Sequence, residues 1–129
     1  MGQNEKTCPV ILVVDDCETN RELLNFFLSG SGYNVIEARD GLEAVKVATT
    51  EWPDLIIMDL SMPVLDGFGA IRLLREVSGV RELPVIACTA HDTNSHRLQA
   101  LGVGFNDFLA KPIDFNQLDS ILGKFLKTA

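Results

Sequence analysis

Residues Val10 to Val14 read Val-Ile-Leu-Val-Val and stop abruptly at Asp15-Asp16. A continuous β-branched run of this kind, with no polar alternation, belongs to a strand covered on both faces. The pattern recurs: Tyr33 to Glu37 is a weaker strand, Leu55 to Met58 ends in Asp59, Pro84 to Cys88 ends in Thr89, and Phe105 to Ala110 ends in Lys111. Between these runs the apolar spacing changes to that of a helix. Thr19 to Ser29 carries Leu23, Leu24, Phe27 and Leu28; Gly41 to Thr50 carries Leu42, Val45 and Val47; Gly67 to Val77 carries Ile71 and Leu74. A shorter helix is expected over Asn94 to Leu101, closed by Gly102, and a last one over Phe115 to Leu126 with Leu118, Ile121, Leu122 and Phe125 at helical spacing.

Five alternating βα units with doubly buried strands specify an α/β fold, a five-stranded parallel sheet flanked by five helices. Open sheets of this type place their sites at the carboxyl ends of the strands. Asp15, Asp16, Asp59, Thr89 and Lys111 all fall at such ends, from four different strands. A length of 129 residues suits one domain, and 47% hydrophobic against 22% charged residues is ordinary globular usage. The reading divides the chain into an N-terminal tail, residues 1–9, and one domain, residues 10–127.

Charge narrows the partners. Eighteen acidic against eleven basic residues leave a formal charge of −7, which repels nucleic acid and anionic membranes and favours cationic or protein partners. No apolar run reaches the roughly 18 residues needed to cross a bilayer. Gly2 is followed by Lys6 where a myristoylation signal needs Ser or Thr, so no lipid anchor is expected. Cys8, Cys17 and Cys88 are odd in number and lack metal-ligand spacing, which fits a reducing cytoplasm. Cys17 and Cys88 are read as inert small hydrophobes.

Three carboxylates at one sheet edge, balanced only by Lys111, repel one another unless a proton or a hard cation intervenes. An oxygen-only donor set of this kind suits Mg²⁺. A cation there, with the Lys111 ammonium and the Thr89 hydroxyl as donor, prepares a place for phosphoryl oxygens.

Val13-Val14-Asp15-Asp16, Met58-Asp59-Leu60-Ser61-Met62-Pro63 with Asp66-Gly67, Thr89-Ala90 and Lys111-Pro112 stand in one order and spacing. Together they resemble the receiver domain of two-component response regulators, the flavodoxin-like chemotaxis-regulator fold, over Val10 to about Leu126. The resemblance implies that Asp59 accepts a phosphoryl group from a phosphohistidine on a histidine kinase or histidine phosphotransfer protein. It implies Mg²⁺ held by Asp16, Asp59 and the Ser61 backbone carbonyl, with Asp15 assisting directly or through water. It implies catalytic support from Thr89 and Lys111, and a cis Lys111-Pro112 bond. It implies a switch in which Thr89 moves toward the phosphoryl group and Phe108, lacking the hydroxyl of a Tyr, swings inward through packing alone. The surface of the fourth helix, fifth strand and fifth helix then controls a downstream protein target.

Such a domain is a phosphoacceptor with self-phosphorylation and autodephosphorylation, not an enzyme with a separate substrate. A stand-alone receiver is expected, although Asn20-Arg21-Glu22-Leu23-Leu24 resembles receivers attached to hybrid kinases, and a homodimer stays open. His91, two residues after Thr89, is either a solvated loop residue or a group that orients the attacking water. Gly69 inside the third helix and Gly102-Val103-Gly104 before the fifth strand depart from the family pattern.

Rival readings remain at this level. A Mg²⁺-dependent phosphohydrolase of the haloacid dehalogenase type spaces its two aspartates two apart, whereas Asp15 and Asp16 are adjacent. A flavodoxin-like cofactor carrier would set a phosphate against carboxylates. A receiver used only for phosphorylation-independent docking would have no need of the intact acidic set.

Overall fold

The computed structural model describes residues 8–62, 64–77, 82–90, 99 and 101–126. Five parallel strands form one sheet in the order β2-β1-β3-β4-β5: β1 Val10–Val14, β2 Asn34–Ala38, β3 Leu55–Asp59, β4 Val85–Thr89 and β5 Asp107–Ala110. The α/β reading therefore stands. The boundaries differ in one informative way: Asp59 and Thr89 are the last residues of their strands, not the first beyond them. β5 is shorter than expected, since Asn106 uses its side chain to accept the Val85 N–H at 2.9 Å. Phe105, just ahead of it, is buried all the same.

Strand alternation sorts the core into two layers. Ile11, Val13, Ile57, Ile86 and Leu109 face a layer with Leu24 and Leu28 of helix α1 (Glu18–Gly30) and Leu118 and Leu122 of the C-terminal helix Phe115–Phe125. Leu12, Val14, Ile56, Met58 and Ala87 face the other, with Ala44 and Ala48 of α2 (Gly41–Glu51) and Ala70, Ile71 and Leu74 of α3 (Gly67–Glu76). Most of these strand side chains are fully buried, and each large one contributes about 1.5–3 kcal/mol through removal from water. Chain direction and layer together explain the site: α1 leaves β1 toward one layer and α3 leaves β3 toward the other. The ends of these two neighbouring strands are left uncovered between them.

Side-chain caps start three of the helices. Asp40 accepts from the Glu43 N–H, Asp66 from Gly69, and Asp114 from Asn116 and Gln117. Among the helices whose starts are described, α1 is the exception, with Cys17 at its N-cap and no side-chain cap. Its neighbour Asp15 spends a carboxylate oxygen on the Cys17 N–H, 2.9 Å away, so Asp15 is neither a helix cap nor a solvated strand end.

Of the helix expected over Asn94 to Leu101, residues 94–98 and 100 lie outside the described residues, as does His91. Gln99 and residues 101–103 are helical. Gly102 does not close this helix. The chain leaves it at Gly104, whose φ of 121° is a conformation that an L side chain resists. Arg75 of α3 then fixes the departing loop by donating from Nη2 to the Gly104 carbonyl at 2.7 Å and from Nη1 to that of Leu83 at 2.7 Å. Gly69 also acquires a reason: a Cβ there would meet the Leu65 side chain.

Among the described residues, two that bear side chains have positive φ: Trp52 (52°), half exposed at the end of α2, and Val64 (71°), exposed in the loop between β3 and α3. For a β-branched residue this conformation costs about 1–2 kcal/mol. Val64 buries little in return, being 76% exposed. Val64→Asn, which tolerates the left-handed region, is expected to stabilise the protein by about 0.5–1 kcal/mol, read as a higher urea midpoint by circular dichroism.

Candidate functional site

Asp15 and Asp59 come together because β1 and β3 pair in register, Val14 beside Met58, so that each strand delivers its next carboxylate to the same edge. Asp16 completes the group. Oxygens of Asp15, Asp16 and Asp59 lie within 4.8 Å of one another; Asp15 and Asp59 are buried and Asp16 is exposed. Lys111, delivered by the end of β5, bridges the two buried acids, with Nζ 3.1 Å from Asp15 Oδ2 and 3.3 Å from Asp59 Oδ2. Its backbone N–H donates to the Thr89 carbonyl at 2.8 Å, fastening β5 to β4 at this edge. The bond that follows, Lys111-Pro112, is cis as expected.

Asp59 is held from both sides. Its Oδ1 accepts the Ser61 N–H at 3.1 Å, and Oδ2 faces Lys111. The Ser61 peptide is thereby placed against the acidic group. Thr89 ends β4 one residue beyond Cys88, the partner of Asp59 in the sheet, and is buried. Phe108 pairs with Ala87 and lies in the α2–α3 layer with its ring 1% exposed. The ring is thus already inward in this structure. An apolar side chain on that face of β5 gains more from the core than from solvent, and it has no hydroxyl to draw it out.

Burial pushes the Asp59 carboxyl above its ordinary range, only partly offset by the Ser61 N–H and the Lys111 ammonium, and the neighbouring Asp15 adds to the rise. Burial acts on Lys111 in the opposite sense, but Asp59 and Asp15 outweigh it and hold the ammonium above its usual value. Lys111 therefore stays charged near neutral pH. An ionised, buried carboxylate beside another is a standing demand for a cation.

The oxygen set meets the needs of Mg²⁺. Ligands on opposite sides of an octahedral ion at about 2.1 Å are about 4.2 Å apart, so oxygens within 4.8 Å of one another need only side-chain adjustment. Carboxylates are the hard donors this ion prefers.

Residues to which the sequence reading gave no part in the site support the set. Arg21 is a buried arginine of α1 that donates from Nη1 to the Asp15 carbonyl at 2.7 Å and from Nε to Glu37 of β2 at 3.0 Å. Asn20 reaches Asp15 Oδ2 at 3.3 Å. The signal for Arg21 was its spacing, three residues before Leu24 and seven before Leu28, on the buried stripe of α1. A Cβ on Gly67 would lie 2.9 Å from the Asp59 carbonyl oxygen, so glycine lets α3 start against the strand end.

The cysteines divide. Cys88 is buried beneath the site and its thiol is pushed up to about 12 by burial, in keeping with an inert role. Cys17 is exposed and is not the small core hydrophobe expected.

The chain belongs to the response regulator receiver domain family, whose model it matches over residues 11–123. It is 44% identical to the response regulator PleD of Caulobacter vibrioides over 104 residues, 81% of this chain and 23% of PleD. The chain thus spans less than a quarter of that relative. Its fold is similar to that of the Vibrio cholerae chemotaxis response regulator CheY4, with a TM-score of 0.87 and 31% identity over 93% of this chain and all of that one. It also resembles the receiver domain of the sensor histidine kinase PA1611 from Pseudomonas aeruginosa PAO1, described with magnesium coordinated in the active site cleft. That match has a TM-score of 0.85 and 37% identity over 92% of this chain and 97% of that one. The chain is accordingly a receiver of the two-component signalling type, a signalling domain in place of a classical enzyme. Among the described residues no helix is long and apolar enough to cross a membrane.

Two outcomes follow from the electrostatics. Because the folded protein holds the Asp59 proton more tightly than the unfolded chain does, ionising Asp59 costs the native state stability above its raised pKa. In chelator near neutral pH, Asp59→Asn is expected to raise the melting temperature by a few degrees, at about 3–6 °C per kcal/mol. The gain shrinks as pH falls and vanishes below the ordinary value of 3.8, where both states carry the proton. Calorimetry across that range checks it. Iodoacetamide at mildly alkaline pH is expected to modify Cys17 in the folded protein and to spare Cys88 until denaturant is added, as peptide mass mapping would show.

Proposed function

We propose that residues 10–127 form a cytoplasmic receiver that accepts a phosphoryl group on Asp59 from a phosphohistidine of a histidine kinase or histidine phosphotransfer protein. The observation that carries this reading is the setting of Asp59: a buried carboxylate ending a central strand, tethered through Oδ1 to the Ser61 amide and facing Lys111 through Oδ2. A structural carboxylate has no need of that arrangement. A nucleophile that must meet a highly charged phosphorus centre in one orientation does.

An Asp59 oxygen forms the new O–P bond as the N–P bond of the donor breaks, and the electron pair stays on the imidazole nitrogen, which takes up a proton. Lys111, already charged and 3.3 Å from Asp59, neutralises oxygens of the transferring group. Thr89, ending the neighbouring strand, supplies a hydroxyl donor from the far side. Asp15, Asp16, Asp59 and the Ser61 carbonyl would hold Mg²⁺, whose charge, when bound, offsets the repulsion between carboxylate and phosphoryl group. Hydrolysis of the acyl phosphate by water later restores the carboxylate.

Output follows from the same residues. Thr89 drawn toward the phosphoryl oxygens leaves space over β4 and β5, and Phe108 answers by repacking within the core it already occupies. The surface of the fourth helix, β5 and the C-terminal helix then changes toward a downstream protein target. An acidic chain with formal charge −7 favours a protein there over nucleic acid.

Incubation with acetyl phosphate and Mg²⁺ is expected to add one phosphoryl group to the intact mass. Asp59→Asn and a chelator should each abolish the gain. Failure of the wild type with acetyl phosphate and with phosphorylated histidine kinases would overturn phosphoryl transfer and favour phosphorylation-independent docking. Turnover of a phosphate ester would favour a phosphohydrolase.

A further inference from the structure

Ser61 lies in the connection between β3 and α3, and two close backbone approaches fix the described ends of that connection. At its base the Gly67 N–H donates to the Leu60 carbonyl at 3.0 Å. Near its far end the Gly41 N–H, the first residue of α2, donates to the Leu65 carbonyl at 3.0 Å. Gly41 is buried, and a Cβ built on it would fall inside van der Waals distance of the Leu65 carbonyl oxygen and 2.9 Å from its carbon. The glycine is there for contact, not for conformation: its φ lies outside the left-handed range.

Val64, immediately before Leu65, is held at a φ of 71°. Backbone in such a state persists only where the surroundings determine it. The Gly41–Leu65 contact is such a determinant, and it connects α2, which contributes no residue to the acidic group, with the loop that positions the Ser61 peptide. We propose that Gly41 is a positioning residue for the metal site, acting through the Leu65 carbonyl to hold the Ser61 segment against Asp59. This rests on the reading of Asp15, Asp16, Asp59 and Ser61 as the Mg²⁺ ligands.

Two glycines allow a controlled comparison. Gly41→Ala drives a methyl group into backbone, which must move. Gly69→Ala drives one into the tip of the Leu65 side chain, which can turn aside. Calorimetric titration of the full chain with MgCl₂ is expected to show affinity on the order of tenfold weaker for Gly41→Ala and within about twofold of wild type for Gly69→Ala. Amide exchange of the unaltered protein provides a second readout: saturating Mg²⁺ is expected to slow exchange of the Gly41 N–H, and this needs no variant to fold. Equal Mg²⁺ affinity in Gly41→Ala and wild type, or a Gly41 amide indifferent to the ion, would overturn the positioning role while leaving the metal reading intact. A wild type that takes up no Mg²⁺ would overturn that reading, and the positioning role with it.

Discussion

Everything at the carboxyl edge of this sheet depends on one electrostatic arrangement: the Lys111 ammonium between the carboxylates of Asp15 and Asp59. Register in the central strand pair brings the two acids together, and the cis Lys111-Pro112 bond follows the residue that answers them. A single positive charge partly balances two buried negative ones and leaves the exposed Asp16 in addition. The domain is therefore built with an electrostatic deficit at this edge, where the proposed function would seat a cation and then a phosphoryl group. The charge that favours such a role under that proposal is also a source of local instability, as expected of sites that keep unfavourable charges for use.

Much of this was legible in the amino-acid sequence because parallel strands are buried on both faces. Such strands appear as uninterrupted apolar runs, and the polar residue that ends each run marks the functional edge. Asp15, Asp59, Thr89 and Lys111 could be placed on one edge before any tertiary contact was known. Resemblance to a family then supplied roles that spacing alone left open, above all which carboxylate is proposed as the acceptor.

What stayed hidden was of three physical kinds. Backbone conformation was one: Gly102 and Gly104 are equivalent as letters, and only the positive φ of Gly104 shows where the helix ends. Long-range side-chain pairing was another, since Arg21 could be put on the buried face of α1 but its bonds to the Asp15 carbonyl and to Glu37 require β2 in place. Side-chain placement was the third. The inward ring of Phe108 and the exposed thiol of Cys17 depend on local crowding that no periodicity encodes.

The left-handed turn at Trp52 has a practical consequence. This indole is the chain's single tryptophan, and it lies at the end of α2 opposite Gly41. An eleven-residue helix at 1.5 Å per residue separates the two ends by about 16 Å. The residue beside Asp59 is Leu60, so no intrinsic fluorophore of this type adjoins the acidic group. Tryptophan emission in this protein is thus a gauge of global unfolding and is poorly suited to following ion or phosphoryl occupancy. An indole engineered next to Asp59 would give the acidic group an optical signal that this sequence lacks.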